Sequence, residues 1–418
     1  MTEPHIHISA SPHIHSKKSR SVQTIMLYVI IALLPTTIWG IISFGYKAAI
    51  VIVTALLASV LTEFLIDKFL KHNTESIKDL SAVVTGLLIA LNLSSEVPLY
   101  VPIIASIFAI AVCKMAFGGL GNNFANPAIG GRLFVMFSFA SAMTRYATPR
   151  FLLSESVIYP TVSAATSAAT SMATSAATSM ATSAATSMAT SAATSVATSA
   201  ATGAVSAATS VVTSAATSAA TAVVEGANVL LSGATPLSYI KSAGAGMGAL
   251  ETLERAGYPF TAFAEKVGSA LHINPYYVDA FFGNIGGSIG EVSAFLLIIG
   301  AIFLLCKKVI SYHIPVSYLA SFMLLTWITG GNPIYGVLTG GIMLACLFMA
   351  TDMVTTPITH KGQIIFGIGC GFLTYFFRSF ASLPEGASIA ILMMNVATPL
   401  IDKYTRPRVM GHKKGGAK

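Results

Sequence analysis

The sequence is short of charge. Asp, Glu, Lys and Arg make up 10% of its 418 residues, where ordinary soluble domains carry roughly a quarter, and this deficit argues against a water-soluble enzyme of two or three domains. Cysteine is also scarce. Cys113, Cys306, Cys346 and Cys370 lie far apart and form no C-x-x-C pair, which argues against a disulfide framework or zinc site and leaves buried thiols as the expectation. Neither a nicotinamide fingerprint nor an iron–sulfur ligand set is present. The first apolar run follows Ser16-Lys17-Lys18-Ser19-Arg20 with no small-residue cleavage site after it, so no removable signal peptide is expected.

What is abundant is apolar: 54% of the residues are hydrophobic and the mean hydropathy is +0.74. Runs near the roughly 20 residues needed to cross a ~30 Å hydrocarbon core recur at 25–43, 48–66, 80–93, 100–117, 128–142, 291–306, 315–329, 334–350, 364–377 and 387–401. They predict an all-α polytopic membrane protein of about ten transmembrane helices. The net charge of +8 does not point to nucleic acid, because the basic residues fall in short clusters between apolar runs. On alternate sides of those runs, Lys17, Lys18, Arg20, Lys68, Lys71, Lys78, Lys114, Arg132, Lys307, Lys308, Lys361 and a basic tail oppose only Lys47 and Arg378. The positive-inside rule then makes both termini cytoplasmic in a multi-pass protein of the cell membrane, with the long middle connection facing outward.

The chain divides accordingly into a leader (1–24), a first bundle (25–143), the connection (144–290), a second bundle (291–401) and a basic tail (402–418). His5, His7, His13 and His15 in the leader fit a metal tract or, more simply, a polar terminus that binds nothing specific. Within the connection, residues 163–222 are rich in Ala, Thr and Ser, and 165–196 repeat an octad four times. Without large apolar groups to drive packing, this is read as a tolerated insertion, either a loosely helical arm or a disordered one.

Two segments share a motif: Val83-Val84-Thr85-Gly86 and Val337-Leu338-Thr339-Gly340. They enter the membrane from opposite sides, as two inverted five-helix repeats would require, and such repeats place ion or substrate sites beside broken helices near the midplane. Chance likeness of Gly-rich segments is the alternative. Polar groups at membrane depth also need a reason, since a central Asp or Arg costs at least ~2.5 to 3.5 kcal/mol; the candidates are Asp79, Asn92, Asn122, Asn123, Asn126, Glu291, Asn332, Asp352, Glu385 and Asn395, each also explicable as a helix end. The segment Gly118-Gly119-Leu120-Gly121-Asn122-Asn123-Phe124-Ala125-Asn126-Pro127 combines backbone freedom with amide donors and acceptors. It is read as a half-inserted turn lining a polar cavity.

After the insertion, Ser232-Gly233-Ala234-Thr235-Pro236-Leu237 surrounds the Thr235 hydroxyl with small residues on an outward loop, where it is expected to stand unobstructed. An ordinary turn has the same composition. Taken with Ser11-Pro12-His13-Ile14, Asp79-Leu80-Ser81-Ala82-Val83-Val84-Thr85-Gly86, Gly118 to Pro127, Gly287-Ser288-Ile289-Gly290-Glu291, Thr351-Asp352-Met353-Val354-Thr355 and Pro384-Glu385-Gly386-Ala387, however, the chain resembles the RnfD/NqrB family. Its members are the D component of the Rnf ion-translocating oxidoreductase complex and the homologous B component of the sodium-pumping NADH:quinone reductase. The short leader favours likeness to the Rnf branch.

The resemblance implies FMN carried on Thr235 by a phosphoester bond, within Ser232, Gly233 and Ala234, installed by a flavin transferase; the acidic residue common a few positions before that Thr is Asn228 to Leu231 here. It further implies a second, non-covalent flavin such as riboflavin, partner subunits carrying flavin and iron–sulfur centres, and translocation of Na+ or H+. Asp79, Glu291 and Asp352 are the ion-path candidates. A passive channel or solute transporter with a bare Thr235 is the rival from another class.

Overall fold

The computed structural model describes residues 21–71, 79–153, 157–158, 235–242, 249–381 and 386–405. Residues 1–20 of the leader, the octad insertion, Ser232, Gly233, Ala234 and Glu385 lie outside the described residues. Helices fall on the apolar runs. The first half holds α1 (Val22–Phe44), α2 (Tyr46–Ile66), α3 (Ser81–Leu91), α4 (Tyr100–Ile107, prolonged by a π-helical stretch to Met115), α5 (Pro127–Ser138) and α6 (Ala140–Met143). The connection contributes β1 (Val157–Ile158), α7 (Pro236–Ser242), α8 (Ala249–Arg255), β2 (Phe260–Thr261), α9 (Ala262–Leu271) and α10 (Pro275–Phe282). The second half holds α11 (Ala294–Cys306), α12 (His313–Ile328), α13 (Pro333–Leu338), α14 (Ile342–Leu344, continued as π-helix through Met349), α15 (His360–Phe380) and α16 (Ala387–Thr405). The all-helical expectation meets one small exception, an antiparallel pairing of β1 with β2 in the register Val157 to Thr261.

Local chemistry sets many boundaries. Three helices start at an Asn–Pro pair: Asn126, Asn274 and Asn332 each accept a bond from a backbone N–H in the following turn, at 3.0 to 3.1 Å, while the proline at the next position has no N–H to lose. Gly45, at φ 79°, ends α1 and turns the chain directly into α2. By length and composition Val22–Phe44, Tyr46–Phe69 and His360–Phe380 can each cross a membrane. The 11 residues of α3 reach only about 16 Å at 1.5 Å per residue, so α3 stops partway.

The two halves interlock. Within the first, α2 lies against α3 and α4; within the second, α12 runs along α15, and α15 against α16; α1 packs on α11 and α5 on α16 across the middle. The backbone of the segment before α11 is bonded to the exit of α3, with the Ile289 and Gly290 amides donating to the Leu93 and Leu91 carbonyls at 2.9 and 2.8 Å. One apolar core therefore runs through both halves, and a smaller one of Leu253, Tyr258, Tyr276, Ala280 and Ile285 rests on Tyr335 of α13.

Several expectations need correction. Cys113, Cys346 and Cys370 are buried, but Cys306, the last residue of α11, is exposed. Lys114 and Arg132 are not loop charges; both are buried within the helical body, because each has an anionic partner there. The two V-x-T-G-like segments also differ: the first lies unbroken in α3, whereas the second straddles a break, with Gly340 and Gly341 at φ 69° and 72°.

Candidate functional site

Polar residues far apart in the sequence come together along one line through the body. At its middle, α3 and α14 end near each other. The Asn92 side chain at the end of α3 reaches the Met349 sulfur at 3.3 Å, and Asn126, capping α5, donates to the Met349 carbonyl at 3.2 Å. Between these ends sits Arg132. Its Nη1 donates to Asn92 Oδ1 at 2.6 Å and Ser388 Oγ at 3.0 Å, and lies 3.3 Å from Glu291 Oε1, so three separate segments converge on one guanidinium. Both charges of the Arg132–Glu291 pair are buried, with side chains 4% and 3% exposed. Such a pair holds its place only because each member neutralises the other; removing one costs several kcal/mol.

Glu291 also meets the helix break. A Cβ on Gly341 would collide with the Glu291 carboxylate, so the acid lies directly against the start of α14, the end where a helix dipole favours negative charge. On the other side of the break, Arg378 of α15 donates from Nη1 to the Gly336 carbonyl at 2.7 Å, and from Nη2 to the Thr339 and Gly340 carbonyls at 2.9 and 2.5 Å. A cation thus complements the carbonyl end of α13 and an anion the amide end of α14.

Toward the loops 307–312 and 350–359 the line opens into a cleft. Ser81, Thr85, Lys114, Leu120, Asn123, Asn126 and Asp352 line it, with apolar walls from Val84, Leu88 and Phe348. The Gly118 to Pro127 segment does form a turn here, with Gly118, Gly119 and Gly121 at positive φ. Lys114 Nζ is held by both Glu63 carboxylate oxygens at 2.8 and 2.7 Å and donates to Ser81 Oγ at 2.5 Å; Ser81 in turn donates through Oγ and its amide to Asp79 Oδ1. Asp79, a sequence candidate, is thereby joined to the cleft. Asp352 accepts bonds from the Val354 amide and the Thr355 hydroxyl at its wall. The three acids are not one cluster: Asp79 and Asp352 belong to the cleft, Glu291 to the break.

Thr235 lies at the opposite end. Contrary to the sequence expectation its side chain is buried, 8% exposed, and its Oγ1 accepts the Ser238 amide at 3.3 Å and so caps α7. Leu237, two residues on, presses against the break: a Cβ on Gly340 would stand 2.5 Å from both Leu237 Cδ2 and Arg378 Nη2. Elsewhere in the connection, Asp279 of α10 accepts the Thr261 amide and hydroxyl and the Asn284 side chain, and burial pushes its carboxyl above the ordinary range against those bonds.

Sequence reasoning missed Glu63 and the roles of Lys114 and Arg378. Glu63 carried a signal, being the sole charged residue in the run 48–66. Arg378 carried none, since its partners lie some forty positions away.

The NQR2, RnfD, RnfE family model matches residues 7–411. The chain is 33% identical over 99% of its length to the D component of the Na+-translocating ferredoxin:NAD+ oxidoreductase complex of Acetobacterium woodii, covering 98% of that protein. It is 33% identical over 97% of its length to the proton-translocating counterpart of Clostridium ljungdahlii, covering 96%. Against the D component of the ion-translocating oxidoreductase complex of Stutzerimonas stutzeri it is 30% identical over 95%, covering 94%.

Proposed function

This chain belongs to the NQR2, RnfD, RnfE family, and from that premise we propose that it is the membrane subunit of a redox-driven ion pump of the ferredoxin:NAD+ oxidoreductase type. It relays electrons through FMN held on Thr235 and contributes to the path of Na+ or H+. The observation that carries this reading is the break at Thr339–Gly341, which touches the seat of Thr235 through Leu237 and the buried Arg132–Glu291 pair through Gly341. A flavin on Thr235 would thus lie mechanically adjacent to a buried charged pair.

The residues at Thr235 fit the group in chemistry: a hydroxyl to esterify, a backbone amide at Ser238 and a guanidinium at the neighbouring break. Bound there, FMN supplies stepwise electron transfer. A flavin transferase installs the group on Thr235, within the motif Ser232, Gly233 and Ala234. With both termini cytoplasmic in the cell membrane, Thr235 faces outward and the cleft inward. Asp352 and Asp79 draw cations to the cleft, and Glu291 passes them when it parts from Arg132.

A second flavin such as riboflavin would bind at the cleft, whose walls set apolar side chains beside hydroxyl and amide groups. Asn123 Oδ1 there is buried and has no hydrogen-bond partner among the described residues, leaving an acceptor for a ring N–H. The ten spans form two inverted repeats, a reading supported by matched packing: α2 on α3 and α4 parallels α12 on α13 and α15, while α1–α11 and α5–α16 join the halves. Partner subunits carry the remaining flavin and iron–sulfur centres.

The energetics close. Moving one charge against 100 mV takes ~2.3 kcal/mol, and a one-electron drop of about 100 mV releases as much, since ~59 mV is a factor of ten.

The test is in-gel flavin fluorescence of the denatured subunit from its own host, with the mass of the peptide from Ser232 to Lys241. A fluorescent band that vanishes in Thr235→Ala is expected. A bare Thr235 in native protein overturns the redox reading in favour of a channel or solute transporter.

A further inference from the structure

We infer that Arg378 is a positioning residue for the group on Thr235, fixing where that group sits by clamping the broken end of α13. This rests on the flavin reading of Thr235 and adds to it. Arg378 lies in the last turn of α15, yet its guanidinium directs its donors at three carbonyls around the end of another helix, those of Gly336, Thr339 and Gly340. A helix C-terminus leaves such carbonyls without partners in its own helix, and two consecutive glycines at positive φ turn the chain away there. The planar fork of Arg can serve several oxygens at once, which a Lys cannot. The Phe322 ring, 5.4 Å from the guanidinium carbon, holds its face.

Leu237 completes the linkage. It packs onto the same Gly340 that Arg378 grips, and only Pro236 separates it from Thr235. The position of Thr235 is therefore set by the break, and the break by Arg378. Loss of the clamp frees the carbonyls, lets Gly340 and Gly341 relax and removes the surface on which Leu237 rests. It also removes a cation from beside the seat, which disfavours whatever negative charge the group gains on reduction.

The full-length chain carrying its flavin, purified from the native host, tests this with Arg378→Gln, Arg378→Lys and Leu237→Ala. The denatured band is expected at wild-type strength in all three. In the folded protein, iodide quenching of the flavin should rise severalfold in all three, because Lys restores charge but not the fork. The midpoint potential should fall in Arg378→Gln by about tenfold in the reduced-to-oxidised ratio, ~59 mV for one electron, and should recover in Arg378→Lys. Unchanged quenching in Arg378→Gln and Leu237→Ala overturns the inference. Should Arg378→Gln fail to accumulate, Leu237→Ala decides alone. Absence of the band from the wild type sinks the flavin reading instead, a result separable from unchanged quenching with the band present.

Discussion

The two ends of the polar line solve the same problem differently. At the cleft end, Lys114 and Glu63 neutralise each other at 1% and 0% exposure, charge against charge, on two helices packed against each other. At the Thr235 end, Arg378 lies against backbone at the carbonyls of α13, while Glu291 combines the two devices, paired with Arg132 and set against the start of α14. A buried ion pair is a lock: it exists in one geometry or bears the full cost of a lone charge. A guanidinium on a helix end instead holds that end by directional hydrogen bonds to its last carbonyls, with no opposite charge needed. The cleft end is held by a charge pair, and the Thr235 end by a cation on backbone carbonyls.

The largest effect is expected at the Lys114–Glu63 pair. Glu63→Ala leaves Lys114 charged and buried, which should cost about 3 to 5 kcal/mol and remove the protein from membranes, while Glu63→Leu combined with Lys114→Met should restore its thermal midpoint in detergent. If the single variant is as stable as wild type, the cleft end is no lock. At the other end, Gly341→Ala imposes a left-handed conformation on a residue with a side chain, at about 1 to 2 kcal/mol, and displaces the Glu291 carboxylate. Sodium or proton uptake by vesicles driven by electron flow should fall far more than the amount of covalent flavin. Equal losses of the two would mean that the Glu291 contact serves flavin attachment as much as ion movement.

A third variant separates the connection from the membrane body. Asp279→Asn turns an amide nitrogen toward donors from Thr261 or Asn284 and should cost about 1 to 3 kcal/mol at neutral pH, read as faster proteolysis of 249–293. Because the folded carboxyl is raised above its ordinary value, the folded state holds its proton more tightly; wild-type resistance should be greatest below the ordinary carboxylate range and decline as pH rises through the raised value. The amide variant, which cannot titrate, should abolish that decline. The smallest effect is expected at Lys47–Glu96, a pair with side chains 48% and 38% exposed: Lys47→Ala should shift stability by no more than about 1 kcal/mol. A larger shift there would mean that burial is not what distinguishes the locked pair.

Much of the site was legible from chemistry at short range. The Gly118 to Pro127 segment was read as a turn and is one, and Asp79, explicable as a helix end, accepts the Ser81 amide where α3 begins. The family resemblance rested on such segments, and the match over residues 7–411 agrees with it. The exposure of Thr235 was misjudged because small neighbours in sequence say nothing about what packs from elsewhere; its burial accompanies the seating of α7 on Gly340.

By itself the sequence determined that the chain is a helical membrane protein, because apolar runs of that length admit few structures whose backbone bonds are satisfied within a bilayer. It also determined where several helices begin, because caps are local. Only the tertiary structure decided which charges meet. Glu63 finds Lys114 across 51 positions and Arg132 finds Glu291 from the other half of the chain, and no periodicity encodes such partners: they are chosen when helices pack and every buried charge must find an opposite one.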